Sequence, residues 1–238
     1  MIDNNDDFKR IKDNFIKIKE SIDSIKNRLK IDYNIKIMGV TKTFDVNYVL
    51  AGVKAGITLF GENRVLEAYS KYNSEILKNE KLELHIIGHL QRNKAKEAVS
   101  IATTIQSIDK IDTIETIQKE AEKQKKMIDF LIEVNTSKEA QKSGISEEDL
   151  SKLLEQILNK NFTNCNLRGV MTVGPLTDDK KKIRESFTLL SKIYNNLKNK
   201  LKKGDFDTIS MGMSGDYEIA IEEGANLIRI GSLIFGNR

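Results

Sequence analysis

Phe8, Ile11, Phe15, Ile18, Ile22, Ile25 and Leu29 are separated by alternating steps of three and four, so they fall on one stripe of a helix. So regular a stripe also fits a coiled-coil seam, but a helix packed on the body of its own domain is the simpler expectation. That helix is expected within residues 1–31. After it a unit recurs, a short apolar strand followed by an amphipathic helix. The strands read as "IKIMGV" (35–40), "ITLF" (57–60), "LHII" (84–87), "TIQSI" (104–108), "IDFLIEV" (128–134), "LRGVM" (167–171), "DTISM" (207–211) and "NLIRI" (226–230). Runs such as "VNYVLAGVKAG" and "LSKLLEQILNK" mark intervening helices. Strands alternating with helices predict parallel pairing, and eight strands close a (β/α)8 barrel, the TIM barrel. A doubly wound open sheet is the rival. As a nucleotide fold it would want a glycine-rich turn after its first strand, where this chain has "VTKTFD". One proline, Pro175, and no Gly/Ser-rich linker predict a single domain over residues 1–238.

Composition narrows the classes of function. Hydrophobic residues make up 39% and charged residues 31%, ordinary values for a globular protein. No apolar run is long enough to span a bilayer, and "MIDNNDDFKR" is too polar for a secretory signal. One cysteine, Cys165, rules out an internal disulfide and suits a cytoplasmic protein. A net charge of +4, with lysines interleaved among acids, lacks the concentrated basic face of a nucleic-acid binder. Neither nucleic acid nor membrane is expected as a partner, and a monomer is expected.

In this fold the chemistry gathers at the C-terminal strand ends. Those ends carry Lys42, "FGEN" with Asn63, "IGHLQRNK", Asp109, Asn135, "MTVGP", "SMGMSGD" and "RIGS". The turns after strands 7 and 8 commonly bind phosphate through backbone N–H groups. Here they hold Ser214 in "GMSGD" and Gly231 and Ser232 in "RIGS". Either serine alone reads equally well as a helix N-cap. Two donor-rich turns side by side read as a phosphate cup.

Lys42 stands at the end of the first strand, where a lysine partly out of water and near a cation is biased toward the neutral, nucleophilic amine. Arg229 on the eighth strand is the candidate cation. Taken alone, Lys42 reads as a snorkelling lysine or one paired with Glu62. Lysine, phosphate cup and guanidinium together match the needs of pyridoxal 5'-phosphate, with the lysine on the aldehyde, the cup on the phosphate and the arginine at the ring nitrogen.

The segments "VTKTF", "FGENRVLEA", "LHIIGHLQRNK", "IQSID", "IEVNTSKEAQKSG", "LRGVMTVGP" and "SMGMSGDYEIAIEEGANLIRIGSLIFGNR" resemble, in order, the pyridoxal phosphate homeostasis protein family, over nearly all of Ile35 to Arg238. That family is similar to the N-terminal barrel of alanine racemase. The resemblance implies Lys42 as the Schiff-base lysine, Ser214, Gly231 and Ser232 on the phosphate, Arg229 at the ring nitrogen and Asn63 beside the cofactor. Some relatives carry threonine where Ser232 stands, and some run past "FGNR", so a shorter last helix is expected here.

Weaker signals have plainer explanations. His85 and His89 lack the HExxH pattern, so no metal site is expected. Cys165 reads as a small residue ahead of strand 6. Arg92, Lys94 and Lys96 read as a solvated helix face, or as part of the barrel rim by the family motif. Lys142 is a loop lysine with a candidate part in cofactor exchange. Two classes of function stand: a pyridoxal phosphate carrier that serves apo-enzymes, and an amino-acid racemase. Racemases of this type add a β domain that supplies a second base. The chain ends soon after strand 8 and no strand end carries a tyrosine, so the carrier without catalytic turnover is expected. A Schiff-base aldolase of the barrel class fits less well, because its lysine usually lies on a later strand.

Overall fold

The computed structural model describes residues 6–139 and 141–237. The opening "MIDNN", Ala140 and Arg238, all part of segments read above, lie outside the described residues. A helix, α1 (Asp6–Leu29), precedes eight strand–helix units. These are β1 (Lys36–Val40) and α2 (Val46–Lys54), β2 (Leu59–Glu62) and α3 (Val65–Tyr72), β3 (Glu83–Ile86) and α4 (Ala95–Ile101), and β4 (Thr104–Ile108) and α5 (Ile111–Lys123). They continue with β5 (Ile128–Glu133) and α6 (Glu147–Asn159), β6 (Cys165–Met171) and α7 (Lys180–Leu201), β7 (Thr208–Ser210) and α8 (Tyr217–Glu222), and β8 (Leu227–Ile230) and α9 (Ser232–Phe235). Every strand pairs in parallel with its sequence neighbours, and β8 pairs with β1, closing the barrel. The expected (β/α)8 architecture is the one observed. Strand boundaries shift by one or two residues, most at two strands: β2 runs Leu59–Glu62, and β6 begins at Cys165, which is therefore a buried strand residue rather than one before the strand.

The stripe on α1 packs inward on its own barrel. Ile11, Phe15, Ile18, Ile22 and Ile25 are buried, each contributing about 1.5–3 kcal/mol. The helix lies against α2, α8 and α9, across the seam where β1 meets β8. Arg10 Nη1 donates to the Phe235 carbonyl (2.9 Å) and Asn14 Nδ2 to that of Ile234 (3.1 Å).

Inside the barrel the lining is divided. Met38, Val40, Leu59 and Leu227 form a small apolar cluster on β1, β2 and β8. The side chain of Met38 crosses the space that a Cβ on Gly61 would fill, such a Cβ lying 2.4 Å from its Sδ. Other lining positions are polar: His85, Gln106, Glu133, Ser210 and Arg229 are all buried. Strand alternation turns these residues inward and leaves the outer faces for the helices.

Candidate functional site

β1 ends at Val40, and Thr41–Phe44 turn away from the barrel before Asp45 caps α2, its Oδ1 accepting from the Asn47 N–H at 2.8 Å. Half-buried Lys42 lies in this turn and lines a cavity of about 430 Å³. Ser214, Arg229, Gly231 and Ser232 line the same cavity, with Phe44 and Met213. Five of the six residues expected at the site therefore meet. The sixth, Asn63, is exposed and lines a neighbouring cavity.

The turns after β7 and β8 touch each other: the Leu233 N–H donates to Ser214 Oγ at 3.4 Å. Neither serine is an N-cap. Asp216 holds that position for α8, and its Oδ1 accepts from the Met213 N–H at 2.5 Å; Gly231 precedes α9. This sets aside the reading of either serine as a helix N-cap. Among the described residues the N–H groups of Ser214, Gly215 and Ser232 donate to no protein acceptor. They are donors available to an anion.

Arg229 is 4% exposed, and burial lowers its pKa to about 10, against the pull of Asp216 and Glu133. It remains a cation at neutral pH. Nη2 donates to the Thr172 carbonyl and Nη1 to Ser210 Oγ, both at 2.7 Å. Ser210 Oγ donates in turn to Gln106 Oε1 (2.8 Å), and Gln106 Nε2 lies 2.8 Å from His85 Nδ1. The chain runs one way, because a guanidinium only donates. Ser210 must pass its proton on, Gln106 must present its NH2 to the imidazole, and His85 must accept at Nδ1. Burial, and Lys36 secondarily, lower the His85 pKa to about 3, consistent with a neutral ring. Sequence reading missed this wire, although polar Gln106 inside "TIQSI" occupies an inward position.

A second network holds the Lys42 turn from below. Glu62 is 0% exposed and Lys71 7%. Lys71 Nζ donates to Glu62 Oε1 (2.7 Å), Glu67 Oε1 (3.0 Å) and the Thr41 carbonyl (2.9 Å). Thr41 Oγ1 also donates to Glu62 Oε1 (2.7 Å), and Glu67 Oε1 accepts from the Thr43 N–H at 2.5 Å. The residues on both sides of Lys42 are thus tied to one ammonium–carboxylate cluster. Thr43 sits at φ 67°, a left-handed conformation that costs a non-glycine residue about 1–2 kcal/mol. Glu62, the alternative partner for Lys42, is engaged by Lys71 and Thr41. Burial raises the Glu62 pKa despite Lys71, and its Oε2 has no hydrogen-bond partner among the described residues.

The remaining sequence candidates separate. Lys142 is held rather than solvated: Nζ donates to the Gly174 carbonyl (2.7 Å) and pairs with Glu139 (2.9 Å), joining the loops after β5 and β6. Arg92 pairs with Asp112 on the surface at 3.3 Å. Burial raises the Cys165 thiol to about 12, an unreactive state. Glu133, which sequence reading passed over at the end of "IDFLIE", is 6% exposed, and its side chain makes no hydrogen bond with any described residue. Burial, reinforced by Asp109 and opposed by Arg229, raises its pKa to about 7.

A barrel with a lysine after β1, a buried arginine on β8 and two donor-rich turns defines a class, and comparison with known proteins agrees. Residues 14–238 match the family model of the alanine racemase N-terminal domain. A pyridoxal phosphate homeostasis protein of Aquifex aeolicus is 38% identical over 203 residues, 85% of this chain and 87% of the relative. A structure of an unknown protein from Bifidobacterium adolescentis superposes with a TM-score of 0.89 at 28% identity, over 99% of this chain and 98% of that one. PipY of Synechococcus elongatus PCC7942, solved with PLP bound, gives 0.82 at 26%, over 95% and 100%. The chain belongs to the pyridoxal phosphate homeostasis protein family, within the alanine racemase N-terminal-domain barrels.

Proposed function

We propose that this chain binds pyridoxal 5'-phosphate in the Lys42 cavity and buffers or delivers it in the cytoplasm to apo-enzymes, acting as a monomer without appreciable turnover. The observation that carries the reading is the convergence of Lys42, Arg229 and the Ser214 and Ser232 turns on one cavity of about 430 Å³. That size and donor set fit a small phosphorylated ring. The family, and the PLP-bound relative PipY, support it.

When bound, pyridoxal phosphate supplies an electrophilic aldehyde and an electron-withdrawing ring. Lys42 Nζ would hold the aldehyde carbon. Ser214, Gly231 and Ser232 would hold the phosphate through hydroxyls and backbone N–H groups. Arg229 would face the ring nitrogen as a hydrogen-bond donor, with Asn63 flanking the set from the neighbouring cavity. The guanidinium offers no acceptor and keeps its own protons at neutral pH, so it would not protonate the ring nitrogen. Among the described residues no tyrosine lines this cavity to act as a second base. Together these weaken the case for the racemase.

The test is an absorption spectrum of the full chain with pyridoxal phosphate, followed by borohydride reduction and peptide mapping. A visible band and a reduced adduct on Lys42 are expected; an adduct elsewhere, with Lys42 bare, overturns the assignment. The loaded protein in deuterated water with L-amino acids should show no α-proton exchange beyond stoichiometry. Multiple turnovers, or appearance of the D-enantiomer, would restore the racemase. Ser214→Ala removes one hydroxyl but leaves the backbone donors, so affinity should fall about tenfold, roughly 1.4 kcal/mol. A titration with unchanged affinity puts the phosphate elsewhere.

A further inference from the structure

Two of the sequence motifs, "FGEN" and "HLQRNK", place no residue in the lining of the Lys42 cavity, and they meet at a second one. It measures about 600 Å³ and is lined by the polar residues Asn63, Arg64, Glu67, His89, Gln91 and Lys94, with Val65 and Leu66 between them. Close backbone contact brings the two motifs together. A Cβ on Gly88 would lie 2.3 Å from the Asn63 carbonyl oxygen, so only glycine lets the β3 end pass beneath the β2 end. Gly88 follows Ile87, which lines the Lys42 cavity, so the two cavities flank the end of β3.

The charges here are unbalanced. The side chains of Arg64, His89 and Lys94 make no hydrogen bond or ion pair with any described residue. By contrast, Arg10, Arg28, Arg92, Arg168, Arg184 and Arg229 each have acidic or hydrogen-bonded partners. The single acid in the lining among the described residues, Glu67, is already engaged through Oε1 by Lys71 and the Thr43 N–H. What remains is a concave site with a planar guanidinium, an ammonium and two side-chain amides, the donor set that recognises an oxyanion.

We propose that this second cavity is a binding site for the carboxylate or phosphate group of a small molecule, with Arg64 and Lys94 as its charged ligands and Asn63 and Gln91 as supporting donors. The site is distinct from the Lys42 cavity and does not depend on what Lys42 holds. Glu67 lines this cavity and also holds the Thr43 N–H, so the oxyanion would sit one residue removed from the lysine turn.

The experiment is arginine-selective dicarbonyl labelling of the full chain, read residue by residue by mass spectrometry. Inorganic phosphate or acetate is added at constant ionic strength. Labelling of Arg64 should slow about tenfold in one or both anions, while exposed Arg28 on α1 keeps its rate. Protection by phosphate alone supports a phosphate ligand, by acetate alone a carboxylate, and by both an unselective oxyanion site. In Lys94→Gln, a surface change, protection of Arg64 should shrink severalfold. Equal labelling of Arg64 with and without both anions, or protection that extends to Arg28 and survives in Lys94→Gln, overturns the proposal. Because the readout is local to Arg64 and uses ligand-free chain, it stands or falls separately from the adduct on Lys42.

Discussion

Lys71→Met should destabilise the fold by about 3–5 kcal/mol, the usual penalty for removing one partner of a buried ion pair. Glu62 would keep a carboxylate in a fully buried position with only the Thr41 hydroxyl bonded to it, and its second oxygen already lacks a partner. The same change frees the Thr41 carbonyl, and it removes the cation beside the Glu67 carboxylate that holds the Thr43 N–H. Urea unfolding of Lys71→Met, of Glu62→Gln and of the double variant measures the effect. The double variant should be less destabilised than Lys71→Met alone, since it no longer buries a lone charge. Amide exchange at Thr43 should also accelerate in Lys71→Met. A single variant within about 1 kcal/mol of the native chain, with Thr43 exchange unchanged, would show that the cluster does not hold the turn.

Glu133 should make stability fall as pH rises toward neutrality. Its folded pKa is raised from the ordinary 4.5 to about 7, chiefly by burial. Between those values the folded chain keeps a proton that the unfolded chain has released, so raising the pH favours unfolding. Relative to Glu133→Gln, the native chain should lose up to about 3 kcal/mol between pH 4.5 and 7 and then level off. Denaturant midpoints at pH 5 and pH 8 for both proteins supply the comparison. Parallel pH profiles would mean that Glu133 titrates normally in the folded state.

Much of this architecture was visible in the order of residues. Inward-facing apolar positions are short, local and periodic, so the eight strands and the α1 stripe could be read directly. Lys42, Arg229 and the two turns followed from knowing where strand ends gather. The networks beneath them did not. Lys71 looks like a surface lysine in "EAYSKYN", yet it shares the buried face of α3 with Val65 and Ala68, three residues apart at each step. That spacing was the available signal, and charge concealed it. The Gln106–Ser210 bond joins strands on different sides of the barrel, 104 residues apart, and no local pattern reports such a pairing. The serines were ambiguous for a related reason. A hydroxyl after a strand suits a cap or a ligand equally, and only the placement of Asp216 and Gly231 ahead of α8 and α9 decides between them.

The position of α1 has a consequence for how the polypeptide comes off the ribosome. Its partners on α8 and α9 include Tyr217, Ile234 and Phe235, separated from it in sequence by 196, 220 and 225 residues. The β1–β8 pairing is equally remote. The isoleucine stripe of α1 therefore emerges early and must wait, unburied on that side, until nearly all the later units have been translated. Parallel strands joined through such distant contacts fold slowly and leave apolar surface open to association in the meantime. Truncation ahead of α8 would therefore leave the stripe with only α2 to close against.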